Sequence, residues 1–307
     1  MFIFLVNREA GGGKGAKLFE SIRHHSLFTE KRCMSYFTEY EGHAEKLIQQ
    51  IVTLYYRKIR CVFIIGGDGT VHEVYNGLLQ HRAVPICVLP AGSGNDFARG
   101  LGYNDSPISM MENVMKMPEG ASFKGGRYET AHTKRHFVNN IGIGIDGALI
   151  HSTPKTLKKW LNKRGLGVVT YALTFYKAIR TFSPFSCTIT TDGHTRSLED
   201  CWLVVIGNHP YFGGGMRILP DARASSSLLS VLTVSNMPKW KIVVLFLSVF
   251  LGRHTQINGV ELWRGNEIEV NCQSDVVGQV DGLPITMKRY TAKKAQDDQV
   301  LYKSTKK

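Results

Sequence analysis

The first part of the chain alternates short, almost wholly apolar runs with longer stretches whose apolar residues recur at helical spacing. Phe2–Val6, Arg32–Phe37, Cys61–Ile65 and Ile86–Leu89 read as strands. Ala16–His25, His43–Tyr56 and Val71–Leu79 read as helices, and in the second of these Ala44, Leu47, Ile48, Ile51, Val52 and Tyr55 share one face. Buried strands with helices between them predict a parallel sheet covered on both sides. Residues 1–125 are therefore expected to form a three-layer α/β domain.

The pattern then changes. Phe137–Ile141, Ser186–Thr190, Trp202–Gly207, Leu228–Val234, Val260–Trp263, Glu267–Asn271 and Val277–Asp281 carry strand signals, with Asp192-Gly193 and Arg264-Gly265 as turns between some of them. Helical patterns recur only at Val168–Arg180 and Lys239–Leu251, and the second is apolar around most of its circumference, which predicts a packed helix. Residues 126–284 are expected to form a β-sandwich-like domain. Residues 285–307 are expected to be a C-terminal segment returning to the first domain, its tail from Ala292 polar and basic and frayed at its end. The fold class is α/β plus β.

Composition narrows the function. The 307 residues carry 38 Lys and Arg against 25 Asp and Glu, a net charge of +13. Such a chain is attracted to polyanions: nucleic acid, an anionic membrane face or nucleotide phosphates. No recognised nucleic-acid motif organises the basic residues, so nucleic acid is not an expected partner. Met1–Val6 lacks a basic start, and the ten apolar residues of Ile242–Leu251 are too few to cross a bilayer. The six cysteines show no metal-binding spacing and are expected to be buried free thiols. The expected location is cytoplasmic.

Three glycine clusters each follow a strand. Gly66-Gly67-Asp68-Gly69-Thr70-Val71 ends a buried strand and opens a helix. Glycines let the backbone approach a ligand, and a helix start offers free N–H groups to phosphate. An acid in such a cradle would repel phosphate unless a cation is shared, so Asp68 suggests a Mg²⁺-nucleotide site. The plainer alternative is a tight turn with Asp68 as helix cap. Pro90-Ala91-Gly92-Ser93-Gly94-Asn95-Asp96 repeats the grammar, with Ser93 able to donate to phosphate and Asn95 to a ribose or base. Asn7-Arg8-Glu9-Ala10-Gly11-Gly12-Gly13-Lys14 follows the first strand, but its spacing is not that of a Walker A loop. Gly142-Ile-Gly144-Ile-Asp-Gly147 matches a dinucleotide fingerprint, yet it sits among β signals with a poor helix after it.

Gly66–Thr70 with Glu73 and Asn76-Gly77, followed by Leu89-Pro-x-Gly-Ser-Gly-Asn-Asp-Phe-Ala98, resembles the diacylglycerol kinase catalytic domain. The resemblance continues through Asn140–Gly147, Gly207-Asn208, Gly213–Ala222 and Val280-Asp281-Gly282, and so covers nearly the whole chain. It is a resemblance to bacterial soluble lipid kinases of the diacylglycerol and sphingosine kinase superfamily. It implies an ATP site built from Asn7, Gly11, Gly12, Gly13, Lys14, Thr38, Gly66, Gly67, Asp68, Gly69, Thr70, Val71, Glu73, Ser93, Gly94, Asn95 and Asp96. Asp68 and Asp96 would organise Mg²⁺ and the phosphates. Asp281 would act as general base toward a lipid hydroxyl in an interdomain cleft; its alternative is a β-turn Asp-Gly.

The chain departs from the family pattern in places. Arg8 stands where the family has Pro, and Leu283 where it has Glu after Asp-Gly. Ser226 stands where a metal-binding Asp is expected, with the carbonyls of Arg223 and Leu228 as the other ligands of an accessory Mg²⁺ site. A hydroxyl is a poor Mg²⁺ ligand, so that site is expected to be weak or lost. The acid expected before Phe137 is unclear, with Glu129 as a substitute. Lys155, Lys158, Lys159, Trp160, Leu161, Lys163 and Arg164 suit an anionic membrane interface.

The expectation is an ATP- and Mg²⁺-dependent lipid kinase, peripherally membrane-associated, acting on diacylglycerol or a related lipid. A NAD kinase-like enzyme and a catalytically weak nucleotide- or lipid-binding regulator are the alternatives. A homodimer is left open.

Overall fold

The structure is a computed structural model that describes residues 1–117, 120–152, 175–250 and 252–302. The basic stretch from Lys155 to Arg164 and the first part of the helix expected over Val168–Arg180 lie outside the described residues. The chain divides into two units, Met1–Lys124 with Ala295–Lys307, and Gly125–Lys294.

The first unit is built on strands β1 (Phe2–Val6), β2 (Cys33–Phe37), β3 (Cys61–Gly66), β4 (Ile86–Pro90) and β5 (Gly120–Phe123), joined by β17 (Gln299–Tyr302) from the chain's end. Their order is β2-β1-β3-β4-β17-β5. The first four are mutually parallel, and β17 runs parallel to β4 and antiparallel to β5. Phe2, Phe4, Val6, Phe63, Ile65, Cys87 and Leu89 pack on one face against α1 (Lys14–Arg23) and α6 (Pro107–Lys116). The alternate residues Ile3, Leu5, Ile64 and Val88 are equally buried, as are Ile48, Ile51 and Val52 of α3 (His43–Tyr55) and Val74 and Tyr75 of α4 (Asp68–Gly77). Period-two side chains buried on both faces give the three layers that the unbroken apolar runs predict. The expected fraying at the chain's end falls on residues 303–307, outside the described residues. Ala292 is buried within a strand, and Leu301 lies between β4 and β5, where its apolar side chain joins the core.

The second unit is a nine-stranded sheet ordered β14-β13-β10-β8-β15-β16-β6-β7, with β9 pairing both β10 and β15. The strands are β6 (Gly126–Glu129), β7 (Lys134–Phe137), β8 (Asn140–Gly144), β9 (Phe185–Thr191), β10 (His194–Gly207), β13 (Leu229–Ser235), β14 (Val260–Gly265), β15 (Glu267–Val280) and β16 (Leu283–Lys294). The short β11 (Tyr211–Phe212) and β12 (Met216–Arg217) form a separate hairpin. The two long strands make the sandwich-like form. The first half of β10 and of β15 pairs with β9, and the second half of each pairs with β8. Register shifts between Leu198 and Cys201 and between Asn271 and Val276 let each strand bend from one partner to the other.

Four expectations change here. Phe137–Ile141 is broken after Phe137 and restarts at Asn140. Glu267–Asn271 and Val277–Val280 are parts of one strand, and Asp281 lies in the turn that follows it. Arg264-Gly265 ends strand β14 instead of turning, because both residues remain paired with β13. The segment from 285 does not return at once, since β16 continues the second sheet to Lys294 and the return begins at Ala295. Asp192-Gly193 is a turn, with φ values of 48° and 88°. All six cysteines are free, and all but Cys33 are buried.

Helices α7 (Ile145–Ser152), α8 (175–181) and α9 (Lys239–Phe250) belong to the second unit. Leu149, Phe175, Ile242 and Leu245 pack with Trp202, Val205, Leu232 and Val234 of the sheet, and the Trp202 indole donates to Met237 O at 2.9 Å.

Candidate functional site

In the first unit the glycine loops lie at the carboxyl ends of β1, β3 and β4. The strand order places the change of winding direction between β1 and β3, where open parallel sheets bind ligands. Gly11, Gly12 and Gly13 take φ of 59°, 71° and 100°, values that favour glycine, and a Cβ on Gly11 would strike the Ala91 carbonyl. A Cβ on Gly92 would lie 2.5 Å from Gly67 Cα. The three loops are therefore pressed backbone to backbone, which side chains would forbid. The Asn7 amide donates to Thr70 Oγ1 at 3.1 Å, and Thr38 N donates to Val6 O at 3.0 Å, placing Thr38 at the same sheet edge. Lys14, exposed, opens α1.

Asp68 does not cap its own helix. Gly67 holds the cap position of α4 and supplies no side-chain bond, which leaves that ten-residue helix start available to an anion. The Asp68 carboxylate instead accepts Phe97 N at 2.8 Å and Asp96 N at 3.2 Å. It thereby ties the β3 loop to the β4 loop at the start of helix α5 (Asp96–Gly100). Within the β4 loop, Asn95, at φ 55°, exchanges side-chain bonds with the backbone of Gly92. Ser93 is exposed, Gly94 is half-buried, and the buried Asp96 pairs with Arg99 Nη1 at 2.9 Å. Both Glu73 oxygens accept backbone N–H groups, from Gly42 and Ala44, so this acid fastens α3 to α4. Val71 is buried in α4. Arg8 lies over the Phe37 ring at 3.8 Å. The cradle fits a nucleotide: glycine backbone, an uncapped helix start and Lys14 suit phosphate, and two carboxylates suit a hard cation.

In the second unit, Asp281 and Gly282 form the tight turn joining β15 to β16, with φ of 51° and 85° and Val280 paired to Leu283. The alternative β-turn reading of Asp281 thus describes its backbone. Its side chain does more. Oδ2 accepts Val138 N at 2.8 Å, and Oδ1 accepts Asn139 N at 2.8 Å and Asn140 N at 3.1 Å. This is why Phe137–Ile141 is not one strand: the carboxylate takes the backbone donors of the corner. Asn208 holds the same corner through its carbonyls, donating to Val138 O at 3.2 Å, while Lys294 Nζ donates to Asn208 Oδ1 at 2.8 Å. His209 Nε2 meets Asn139 Oδ1 at 2.7 Å. Burial pulls the His209 pKa down to about 4, against the pull of Asp281.

A polar thread runs from this turn to an apolar pocket. Gln279 accepts Gly282 N at 2.8 Å and donates to Asn140 Oδ1 at 2.7 Å and to Asp146 Oδ2 at 3.3 Å. Gly142 leaves room for it, since a Cβ there would overlap the Asp146 carboxyl. Asp146 lies at the start of α7, and burial pushes its pKa up to about 7 although the Gly147 N–H and Gln279 favour the ionised form. The pocket beyond, open on one side and with a cavity of about 60 Å³, lies between the sheet and α7, α8 and α9. Its lining is apolar except for Asp146 and His254, and burial lowers the His254 pKa. Sequence reasoning assigned no role to Gln279, Asn208, His209 or Asp146. Asn140, Asp146 and Asn208 stand within its matched motifs, whereas Gln279 carried no signal.

Arg223, Ser226 and Leu228 come together as one turn. Ser226 N donates to Arg223 O at 2.9 Å, and Ser226 Oγ accepts Leu228 N at 3.0 Å. Among the described residues no group of three His, Cys, Asp or Glu gathers to hold a metal. Glu129 is exposed in β6 with Lys134 Nζ 3.9 Å away.

Comparison with known proteins joins the two halves. The family described as "Diacylglycerol kinase catalytic domain" matches residues 1–121, and "YegS C-terminal NAD kinase beta sandwich-like domain" matches residues 141–294. The chain is 31% identical over 285 residues to the Bacillus subtilis protein named "Putative lipid kinase YtlR", covering 92% of each. It is 24% identical over 212 residues to a "Diacylglycerol kinase" of Mycobacterium tuberculosis, covering 69% of this chain and 66% of that one. A crystal structure of a "putative diacylglycerol kinase" from Bacillus anthracis superposes with a TM-score of 0.77 at 21% identity, covering 99% of this chain and 95% of that one, which shows the shared fold. The chain belongs to the lipid-kinase family that pairs a diacylglycerol kinase catalytic domain with a YegS-type C-terminal domain.

Proposed function

We propose that this lipid kinase transfers the γ-phosphoryl group of ATP to a hydroxyl of diacylglycerol or a closely related lipid. The observation that carries the reading is the pocket of the second unit: apolar walls that suit acyl chains, with a buried carboxyl at one side that suits a polar headgroup. Family membership supports the kinase; the pocket supports the lipid class.

Phosphoryl transfer asks a protein mainly for positioning and charge stabilisation. The Asn7–Lys14 loop, Thr38, the Gly66–Val71 loop and Ser93 would hold ATP, with Gly94 and Asn95 shaping the third loop. Asp68 and Asp96 would organise Mg²⁺, which supplies charge neutralisation at the phosphates when bound. Asp281, fixed by three backbone donors, would accept the lipid hydroxyl proton. The protein would act at an anionic membrane surface.

Labelled ATP, Mg²⁺ and mixed vesicles carrying diacylglycerol, monoacylglycerol, ceramide, sphingosine and undecaprenol provide the test. Label entering one lipid, and lost in Asp281→Asn and Asp68→Ala, supports the reading and names the acceptor. ATP bound without label in any lipid rejects it in favour of a regulatory protein. Label entering NAD rejects it in favour of a NAD kinase.

A further inference from the structure

Helix α9 is apolar on two sides, and among the described residues the fold buries one of them. Ile242, Leu245 and Val249 are buried and, with Phe246, line the pocket. On the opposite side Trp240, Val243, Val244 and Leu247 stand in solvent at 64%, 39%, 50% and 60% exposure. Their spacing of i, i+3, i+4 and i+7 makes one continuous stripe along the helix. A soluble helix normally turns polar residues outward, and a contiguous exposed apolar patch marks a binding surface.

The surroundings of the stripe specify its partner. Phe175 of α8 stacks on Phe246 with ring centroids 4.0 Å apart, and Lys239 Nζ donates to Arg180 O at 3.1 Å, so α8 and α9 form one surface. That surface adds Tyr176, 58% exposed, and the exposed Lys177, Arg180 and Lys239. Lys241 follows on the same helix, and neither 175–181 nor 239–250 contains an acid. Aromatic and apolar side chains bordered by cations, without carboxylates, suit the headgroup region of an anionic bilayer. A second copy of the chain is disfavoured, because a two-fold contact would set these cations against their own equivalents. The helix is about 18 Å long at 1.5 Å per residue, too short to cross a bilayer, so it would lie in the plane of the interface.

We infer that the outer faces of α8 and α9 dock this protein on an anionic lipid bilayer, with Trp240, Val243, Val244 and Leu247 entering the headgroup boundary and Lys177, Arg180, Lys239 and Lys241 meeting the lipid charge. The inner face of α9 lines the apolar pocket, so the docking helix is also one of its walls. The inference rests on the lipid-kinase reading for its purpose, and vesicle binding tests it without any turnover.

The experiment is co-sedimentation of the full chain with vesicles of phosphatidylcholine alone and of phosphatidylcholine with phosphatidylglycerol. It compares wild type, Trp240→Ser/Val244→Ser/Leu247→Ser and Lys177→Glu/Lys241→Glu. These side chains are not fully buried and none lines the pocket, and unfolding temperatures check that the variants remain folded. Wild type should prefer anionic vesicles, both variants should lose about tenfold or more in binding, and high salt should weaken wild type. Triple-variant binding equal to wild type overturns the inference. So does a wild-type dimer that the triple variant dissolves, which would make the stripe a contact between copies. Phosphorylation of dispersed dioctanoylglycerol is measured in parallel. If no form labels it while vesicle binding still follows the stripe, the docking surface stands and the kinase reading fails.

Discussion

Asp281 and Asn140 grip each other in both directions: Asn140 N donates to Asp281 Oδ1 at 3.1 Å, and Asp281 N donates to Asn140 O at 3.0 Å. The catalytic candidate of the second unit is thus also its structural pin, since the same carboxylate takes the N–H groups of Val138 and Asn139. Asp281→Asn should therefore lose more than activity. An amide has one acceptor oxygen and would turn an NH₂ toward a backbone donor. An unsatisfied buried donor costs about 1–3 kcal/mol. A calorimetric scan should show a lower unfolding temperature. If Asp281 also handles the lipid hydroxyl, activity at a temperature where the variant is fully folded should still be nearly absent. Full activity there would leave Asp281 only its structural role.

Asp68 tests the nucleotide cradle. Asp68→Ala removes both bonds to the start of α5, and loss of a cap of this kind costs about 0.5–2 kcal/mol. Freed from the β3 loop, the β4 loop should hold ATP at least about tenfold more weakly, each tenfold being about 1.4 kcal/mol. Equilibrium titration with ATP checks this, and an unchanged affinity would separate Asp68 from nucleotide binding.

Gly92→Ala should be worse than its single methyl suggests. The added Cβ would sit 2.5 Å from Gly67 Cα, which is backbone and cannot rotate away. Overpacking of this kind costs about 1–3 kcal/mol, and here it would push two loops apart. Denaturant unfolding should report the stability loss, and ATP affinity should fall with it. Gly69→Ala is the control for stability alone, since a Cβ there meets nothing within 4 Å.

The pocket acid and the corner histidine should oppose each other in the pH dependence of stability. Asp146 has its folded pKa raised from 3.8 to about 7, so its contribution is present at acid pH and lost as pH rises toward 7. His209 has its folded pKa lowered from 6.5 to about 4, so its contribution is present above 6.5 and lost as pH falls toward 4. Between about pH 4 and 6.5 the two slopes offset. Asp146→Asn should unmask a stability that rises with pH through this window, a rise to which His254 adds. Urea unfolding at a series of pH values checks it, and a variant profile parallel to wild type would reject the assignment for Asp146.

Strands β1, β3 and β4 of the first unit were legible because each is buried on both faces and so reads as an unbroken apolar run, whereas β2 at the sheet edge is half-buried and carries Ser35. The glycine loops were legible because backbone contact between Gly67 and Gly92, and positive φ at Gly11, Gly12 and Gly13, can be met by few other residues. Strand β16 was missed because its side chains alternate between buried and exposed among several charges, which resembles a loop until its partner β15 is known. The last strand was missed for a related reason: Gln299–Tyr302 is short, and what makes it a strand is the gap between β4 and β5.

For the site, the sequence by itself determined which residues could form a phosphate cradle and which Asp-Gly pairs could turn, because those are local demands on backbone geometry. Tertiary structure alone decided where Asp68 and Glu73 point, that Asp281 pins a corner about 140 residues away, and that Gln279 links that turn to Asp146. It also decided that α9 packs one apolar face and leaves the other in solvent. An all-apolar helix carries no mark of which side its neighbours will cover, and a carboxylate none of which distant N–H groups will reach it.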